Sequence, residues 1–595
     1  MSAEIEQRRQ PEKSRNLRLY TFNAIFSLIA LSIAFLFWHL LGPEKRIISF
    51  EVHPSSINAG TPAVVTISAQ LSPNLYPNRS GTSIRQVDEN GVLIRELGTL
   101  KDDGSGRNIQ TGQFQIISSS PGVIYLMAVS SYSDNPAPVN SSLLPLVLTS
   151  DASFPLKASA NNRFLIDAAN RPFLLIGDAP MSLVSVLTPA QQNFYFADRR
   201  ANGFNALWIN LLCTGYTGCS ADGRTADGVS PFTSGTNPET YDLATPNEAY
   251  FSRYETAVAT AATYGHVVFL DPIETGGWLK TLEHNGTAKA FHYGAYVGQR
   301  FRKFPNLVWL HGNDYGCGTS QIDDELVAQV MAGIASADTN HMQTVEAGNV
   351  KWAPGEDAYA WSNMCEKFGP YIGLDLAYTW APTYDVALQA YNSSPRLPCF
   401  LGEGNYEFEN IQHVLAKPTG EYLLRETAWW TLLSGCMGYM YGSGYTWTST
   451  WPANVLDSQG ANQIINISRL MNSLDWWKLV PDQNHSVVTA GFGTYVKGNS
   501  DPTLNNYCST GVASDGTFAL TYCPKAATIT AALNQLKNPI TARWFDPSAG
   551  TFSIISGSPF KNKGYSQFST PGLNASGYQD WILVLTTPGQ HIISK

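Results

Sequence analysis

The stretch NLVWLHGNDYG, residues 306–316, decides how the whole chain is read. Leu307-Val308-Trp309-Leu310 is a short, wholly apolar run, which suits a parallel strand covered on both faces. The run ends directly in polar groups: His311, Asn313 and Asp314. An apolar body with a carboxylate at its carboxyl end is how an α/β barrel presents reactive groups. A single Asp after a single strand is equally an ordinary turn residue. The reading therefore depends on whether other strands end in the same way.

They do. Going outward, 173–177 runs into Asp178, 204–211 contains Asn210, and 267–270 runs into Asp271 with Glu274 close behind. On the other side 343–345 ends at Glu346, 371–377 leads to Tyr378, 399–402 ends at Glu403, and 438–441 ends at Tyr441. Helical periodicity lies between them, at 248–264, 293–304, 323–337, 383–391 and 420–434, and a helix start is marked at Thr188-Pro189. Strand and helix alternate about eight times, which predicts a (β/α)8 TIM barrel over 155–480. An open doubly wound sheet would need a Gly-rich phosphate turn after its first strand, and Gly177-Asp178-Ala179-Pro180 is not one.

The flanks change character. Residues 46–150 and 485–595 carry short alternating runs punctuated by Pro, Ser, Asn and Gly. They predict an immunoglobulin-like β-sandwich before the barrel and a second β-sandwich after it. Residues 1–18 form a basic tail with Arg8, Arg9, Lys13, Arg15 and Arg18, and 19–41 is almost wholly apolar. About 20 apolar residues span a bilayer as a helix, and the basic side stays cytoplasmic. Bulky Phe35, Phe37, Trp38 and Leu40 stand where a cleaved signal peptide would carry small residues, so the expectation is an uncleaved single-pass membrane anchor with the bulk of the chain extracytoplasmic. The fold class is thus multidomain α/β plus all-β, with one transmembrane helix.

Composition narrows the function. Of the 595 residues 44% are hydrophobic and 14% charged, which supplies packed cores and excludes a disordered chain. A formal net charge of −9 argues against a nucleic-acid partner. Aromatic content is 12%, with 15 Trp and 28 Tyr; such rings either fill cores or pack against sugar faces. The eight cysteines suit an oxidising compartment. Cys213 and Cys219 are close enough to staple a loop, Cys508 and Cys523 flank a hairpin turn that a disulfide between them would bridge, and Cys399 and Cys436 begin neighbouring strands as candidate buried thiols. No Cys/His spacing resembles a zinc site, so neither metal nor cofactor is expected.

Several carboxylates on one barrel rim, aromatic walls and no metal motif are what glycoside hydrolysis requires. Asp314 and Glu403 form the expected pair, because the fourth and seventh strands face each other across the mouth. Glu407 competes with Glu403, or supports it together with Tyr406. Asp178, Asn210, Asn313 and His311 are candidate substrate contacts at strand ends. Trp278, Tyr378, Trp380, Tyr441 and Trp447 are candidate aromatic walls, each of which core packing would explain equally well.

The residues also resemble a known family. Phe164 to Asp167, Arg171 to Ala179 and Arg199 to Asn205 are similar to the opening of the apiosidase-like glycoside hydrolases. Gly312-Asn313-Asp314 resembles the family's fourth-strand motif, Gly402-Glu403-Gly404-Asn405-Tyr406-Glu407 its seventh-strand motif, and Tyr441-Gly442 its eighth-strand Tyr-Gly. The tail, Trp544 to Pro547 and Asp580 to Leu585, is similar to the sandwich that carries a collagen-binding label in such chains, a label that implies no collagen here. The resemblance implies an acid/base at Asp314, a nucleophile at Glu403 and a retaining mechanism. Ala179-Pro180-Met181 departs from a Thr-Ala-Trp-like run, and Tyr439 stands where the family commonly has His. The expected function is a membrane-anchored glycoside hydrolase acting on a polysaccharide or oligosaccharide. The alternative is a non-catalytic carbohydrate-binding or adhesion protein that keeps the barrel as a scaffold.

Overall fold

The computed structural model describes residues 153–588, apart from 349–358, 410–417, 451–454, 499–500 and 562–563, together with the strands and some turns between 47 and 149. The tail and the expected membrane helix, 1–41, lie outside the described residues. Among the described residues no helix is long and apolar enough to cross a membrane. The chain divides into two compact units, the second centred on Val147–Lys595.

The first unit is antiparallel β. Ile47–His53, Ala63–Leu71, Ile109–Ile116 and Lys101–Asp102 form one sheet in that order. Leu93–Thr99, Arg79–Val87 and Gly122–Tyr132 are neighbours in another. The period-two pattern read from the sequence is visible in Ala63–Leu71, where Val65, Ile67, Ala69 and Leu71 are buried and Thr66, Ser68 and Gln70 are not.

The second unit opens on a short three-stranded sheet and continues as a parallel barrel. Its strands are β1 (Leu175–Asp178), β2 (Ala206–Asn210), β3 (Val267–Asp271), β4 (Leu307–Tyr315), β5 (Gln343–Ala347), β6 (Asp375–Thr379), β7 (Cys399–Glu403) and β8 (Gly438–Tyr441). Hydrogen-bonded ladders run continuously in the order β5-β4-β3-β2-β1-β8-β7-β6. Nearly every strand residue is buried, because one face fills the interior and the other lies under helices. Between β5 and β6 the ring closes differently. A single bridge pairs Gln343 with Ile372. The Ser362 hydroxyl then donates to Val345 O at 2.6 Å and accepts the Leu376 N–H at 2.8 Å.

The helices follow the sequence signals with two instructive differences. Thr188 caps Pro189–Ala201 in a reciprocal capping box with Gln191. The helix expected at 293–304 instead runs Thr275–Phe301, broken at Gly286. Its first half is rich in Gly and polar residues, which hid it. The strand expected to stop before His311 continues to Tyr315.

The tail forms two antiparallel sheets. The larger holds Leu479–Pro481, Ser509–Ala513, Phe518–Cys523, Trp581–Thr586, Thr541–Asp546 and Thr551–Ile554; the smaller holds Val488–Ala490, Thr528–Ala532 and Tyr565–Ser569. Val488, Ile529, Leu583 and Leu585 pack in its core. It docks on helix Glu421–Leu433 of the barrel. Arg425 makes a two-pronged contact to Asp580, Nε to Oδ2 and Nη2 to Oδ1, both at 2.8 Å, with both side chains buried. Trp430 Nε1 donates to Tyr507 O nearby at 2.9 Å.

Candidate active site

The site begins where β4 leaves regular geometry. Gly312, Asn313 and Asp314 all have positive φ, at 116°, 68° and 60°. A Cβ on Gly312 would lie 2.2 Å from Glu346 O, so only glycine fits. Asn and Asp are the side-chain-bearing residues that best tolerate the left-handed region. The Gly-Asn-Asp sequence is therefore a conformational choice before it is a chemical one. The β4–β5 register shifts between His311 and Tyr315, and the Asp314 N–H turns to donate to Glu346 Oε2 at 2.8 Å.

That turn aims the Asp314 carboxyl at its partner. One oxygen each from Asp314, Glu346 and Glu403 all lie within 4.8 Å of one another, so the pair predicted from distant strands meets at one rim. Tyr216 donates its hydroxyl to Asp314 Oδ2 at 2.5 Å, and Tyr378 donates to Oδ1 at 2.9 Å. Tyr406 donates to Glu403 Oε2 at 2.9 Å. Burial, and then the neighbouring Asp314 charge, pushes the Glu403 carboxyl well above the usual range. Burial followed by the charges of Glu403 and Asp314 does the same to Glu346. Among the described residues these three carboxyls are also the one set close enough together to hold a metal ion.

Tyr216 reaches Asp314 from a stapled loop. A disulfide joins Cys213 to Cys219, closing a short loop around the single turn Gly215–Thr217. Beneath it lies the buried Glu274 carboxyl, which accepts from Thr214 N at 2.7 Å and Thr217 Oγ1 at 2.7 Å. Burial raises its pKa to about 8. Gly276 and Gly277 open helix Thr275–Phe301 and leave room for this loop; a Cβ on Gly276 would come within 2.3 Å of the Tyr216 ring.

The other predicted residues divide. Asn313 and Asn210 belong to the site: Asn210 Nδ2 donates to Asn313 Oδ1 at 2.7 Å, tying β2 to β4. Tyr378 and Tyr406 touch the two acids directly. Trp447 is half-buried beyond β8 and donates to Glu409 Oε1 at 2.5 Å. Four expectations need correction. Asp178 is fully buried, with its oxygens engaged by Tyr195, Arg199 and the Ala179 N–H, which leaves none for a substrate. Trp278 is fully buried and stacks on Tyr241 at 5.7 Å, so it is core rather than wall. His311 is fully buried against Gln343 Oε1 at 2.8 Å, and burial lowers its pKa to about 4. Tyr441 is fully buried and donates to Glu407 Oε2 at 2.6 Å. Glu407 itself also accepts from Ser458 at 2.6 Å and Gly460 N at 3.0 Å, so it braces the β7 and β8 ends instead of competing with Glu403.

Sequence reasoning gave no role to two residues of the site. Glu346 was visible as a strand-end acid. Tyr216 had one signal, its position between two cysteines six apart. The cysteines otherwise form a Cys317–Cys365 disulfide that spacing did not suggest, while Cys399, Cys436, Cys508 and Cys523 are buried free thiols.

A parallel barrel with converging carboxyls at the carboxyl ends of β4 and β7 is the architecture of a barrel glycoside hydrolase. Comparison with known proteins agrees. A solved glycoside hydrolase superposes with a TM-score of 0.61 at 17% identity, covering 73% of this chain and 97% of its own. A glycoside hydrolase family 5 structure from Bacteroides vulgatus gives 0.61 at 16% identity, covering 73% and 92%. At such identities the likeness is one of fold. No curated protein sequence matches. The family model described as "Apiosidase-like, catalytic domain" matches residues 159–478, more than half of the chain. A second, "Putative collagen-binding domain of a collagenase", matches 496–586. The chain belongs to the apiosidase-like family and is a glycoside hydrolase.

Proposed function

We propose that the protein is a retaining glycosidase that cleaves glycosidic bonds of a polysaccharide, with Asp314 as acid/base and Glu403 as nucleophile. The observation that carries this reading is the spacing of the two carboxyls. Retaining enzymes hold theirs about 5–5.5 Å apart and inverting enzymes about 6.5–9.5 Å, and here oxygens of the two acids lie within 4.8 Å. That close approach supports the shorter, retaining separation. Asp314 protonates the departing glycosidic oxygen while Glu403 attacks the anomeric carbon; Asp314 then takes a proton from the water that releases the sugar. Tyr378 and Tyr216 fix the Asp314 carboxyl, and Tyr406 fixes Glu403.

The basic tail and apolar run at 1–41 support an anchored, extracytoplasmic enzyme, and the two disulfides fit an oxidising compartment. The 46–150 segment, an immunoglobulin-like sandwich in this reading, then serves as a spacer between membrane and barrel.

The test is hydrolysis of a panel of aryl glycosides and pectic or exopolysaccharide side chains, with the anomer first released followed by proton NMR. Retention of configuration, and loss of at least about 1,000-fold in turnover in both Asp314→Ala and Glu403→Ala, is expected. Unchanged turnover in either variant removes the mechanism.

A further inference from the structure

Glu346 has neither of the two roles just assigned, yet it binds the Asp314 backbone and lies beside Glu403. It is fully buried at the end of β5. Oε2 accepts the Asp314 backbone N–H at 2.8 Å and so holds the left-handed turn that aims Asp314. Oε1 is buried and meets no N–H or O–H donor. An oxygen of the Glu346 carboxyl lies within 4.8 Å of one of the Glu403 carboxyl. Two ionised carboxylates so placed only repel; one proton between them makes the contact a hydrogen bond.

The surroundings are asymmetric, and they say which acid keeps the proton. Glu403 already accepts the Tyr406 hydroxyl, a contact that favours its ionised form. Glu346 receives one donor, the Asp314 N–H, on the other oxygen. Among the described residues, the titratable groups that act most strongly on Glu346, or feel it, are acids and phenols. Asp271 approaches from β3, Asp314 from β4, Glu403 from β7 and Tyr378 from β6, with Tyr216 and Tyr406 from the loops. A nucleophile needs to be ionised, and the cheapest way to ionise Glu403 among so many acids is to leave the proton beside it.

We infer that Glu346 is a proton-holding positioning residue: its protonated carboxyl donates to Glu403 while its other oxygen accepts the Asp314 N–H, so one side chain orients both catalytic acids. This rests on the reading of Glu403 as nucleophile.

The experiment compares Glu346→Ala and Glu346→Gln with wild type on an aryl glycoside that wild type hydrolyses, with Asp314→Ala and Glu403→Ala alongside. The alanine variant should lose ~100-fold in kcat with little change in KM. The glutamine variant has a donor and an acceptor in the same places but no ionisable proton. It should recover most of kcat, and the alkaline limb of its kcat profile should move up by about one pH unit. Folding supplies a second readout that needs no substrate. An acid whose pKa is raised by folding stabilises fully below its unfolded value, about 4.3, and loses that contribution as pH rises through the folded value. The melting-temperature advantage of Glu346→Gln over wild type should therefore grow between pH 5 and 8. A flat difference overturns the inference, as does a glutamine variant no better than alanine. Activity that depends on added Ca²⁺ or Mg²⁺ and is abolished by chelator would do the same, since a cation would then hold the three acids. If Asp314→Ala or Glu403→Ala keeps full turnover, the nucleophile reading fails first, whatever Glu346 does.

Discussion

The hydroxyl of Tyr216 stands 2.5 Å from Asp314 Oδ2 across 98 residues of sequence. No barrel strand supplies Tyr216; a loop held by a disulfide does. Burial of its hydroxyl end and the adjacent Asp314 carboxyl hold the phenol well above its ordinary pKa, so it stays a donor. Tyr216→Phe removes one of the two hydroxyls that orient Asp314, the proposed acid/base. Its kcat should fall ~10- to 100-fold with the melting temperature nearly unchanged, as steady-state kinetics and calorimetry would show.

The staple makes the same contact sensitive to reduction. Replacing Cys213 and Cys219 together by Ser frees the short loop and should reproduce the kinetic loss of Tyr216→Phe. A loop this short adds a stability loss of about 2 kcal/mol. Gly276→Ala tests the position by a different route, because its methyl would enter the Tyr216 ring. Activity should drop there with both cysteines intact. A variant that keeps wild-type kcat would show that the loop is decorative.

Glu274 supports that loop from below and gives it a pH dependence. Its pKa is raised by burial to about 8, above the roughly 4.3 of an unfolded Glu. The sign follows from linkage: the folded state binds this proton more tightly than the unfolded state does, so stability falls as pH rises through that range. Glu274→Gln removes the ionisation. Its melting temperature should decline less than wild type between pH 5 and 8, measured by thermal unfolding.

Arg425 and Asp580 lie buried between barrel and tail sandwich. Asp580→Ala leaves a buried guanidinium without its main partner, which should cost about 3–5 kcal/mol. Denaturant unfolding should show that loss, with Asp580→Asn intermediate because the amide oxygen still accepts.

The barrel was legible because eight apolar runs ended in polar residues, and the meeting of Asp314 with Glu403 was legible because the fourth and seventh strands face each other across the mouth. What escaped was set by tertiary contact. Asp178 and Asp314 look alike at strand ends, but Asp178 is neutralised by Arg199, which comes from the following helix. Trp278 sat after a strand as a wall residue should, yet it opens a helix whose Gly-rich start read as loop, and it faces Tyr241 and Phe232 in the core. Tyr216 could not be placed, since which ring a loop delivers to which acid depends on how that loop folds back.

The Ser362 stitch has a broader meaning. The other seven strand junctions are joined by parallel ladder pairing, from one registered pair between β7 and β8 to five between β2 and β3. At the junction of β5 with β6 one hydroxyl and one bridge do that work, and the connection from Ala347 to Asp375 opens beside Glu346. Because Ser362 and Ile372 both belong to that connection, the segment that opens beside Glu346 also carries the closure of the ring, and a change within it reaches the site and the barrel together.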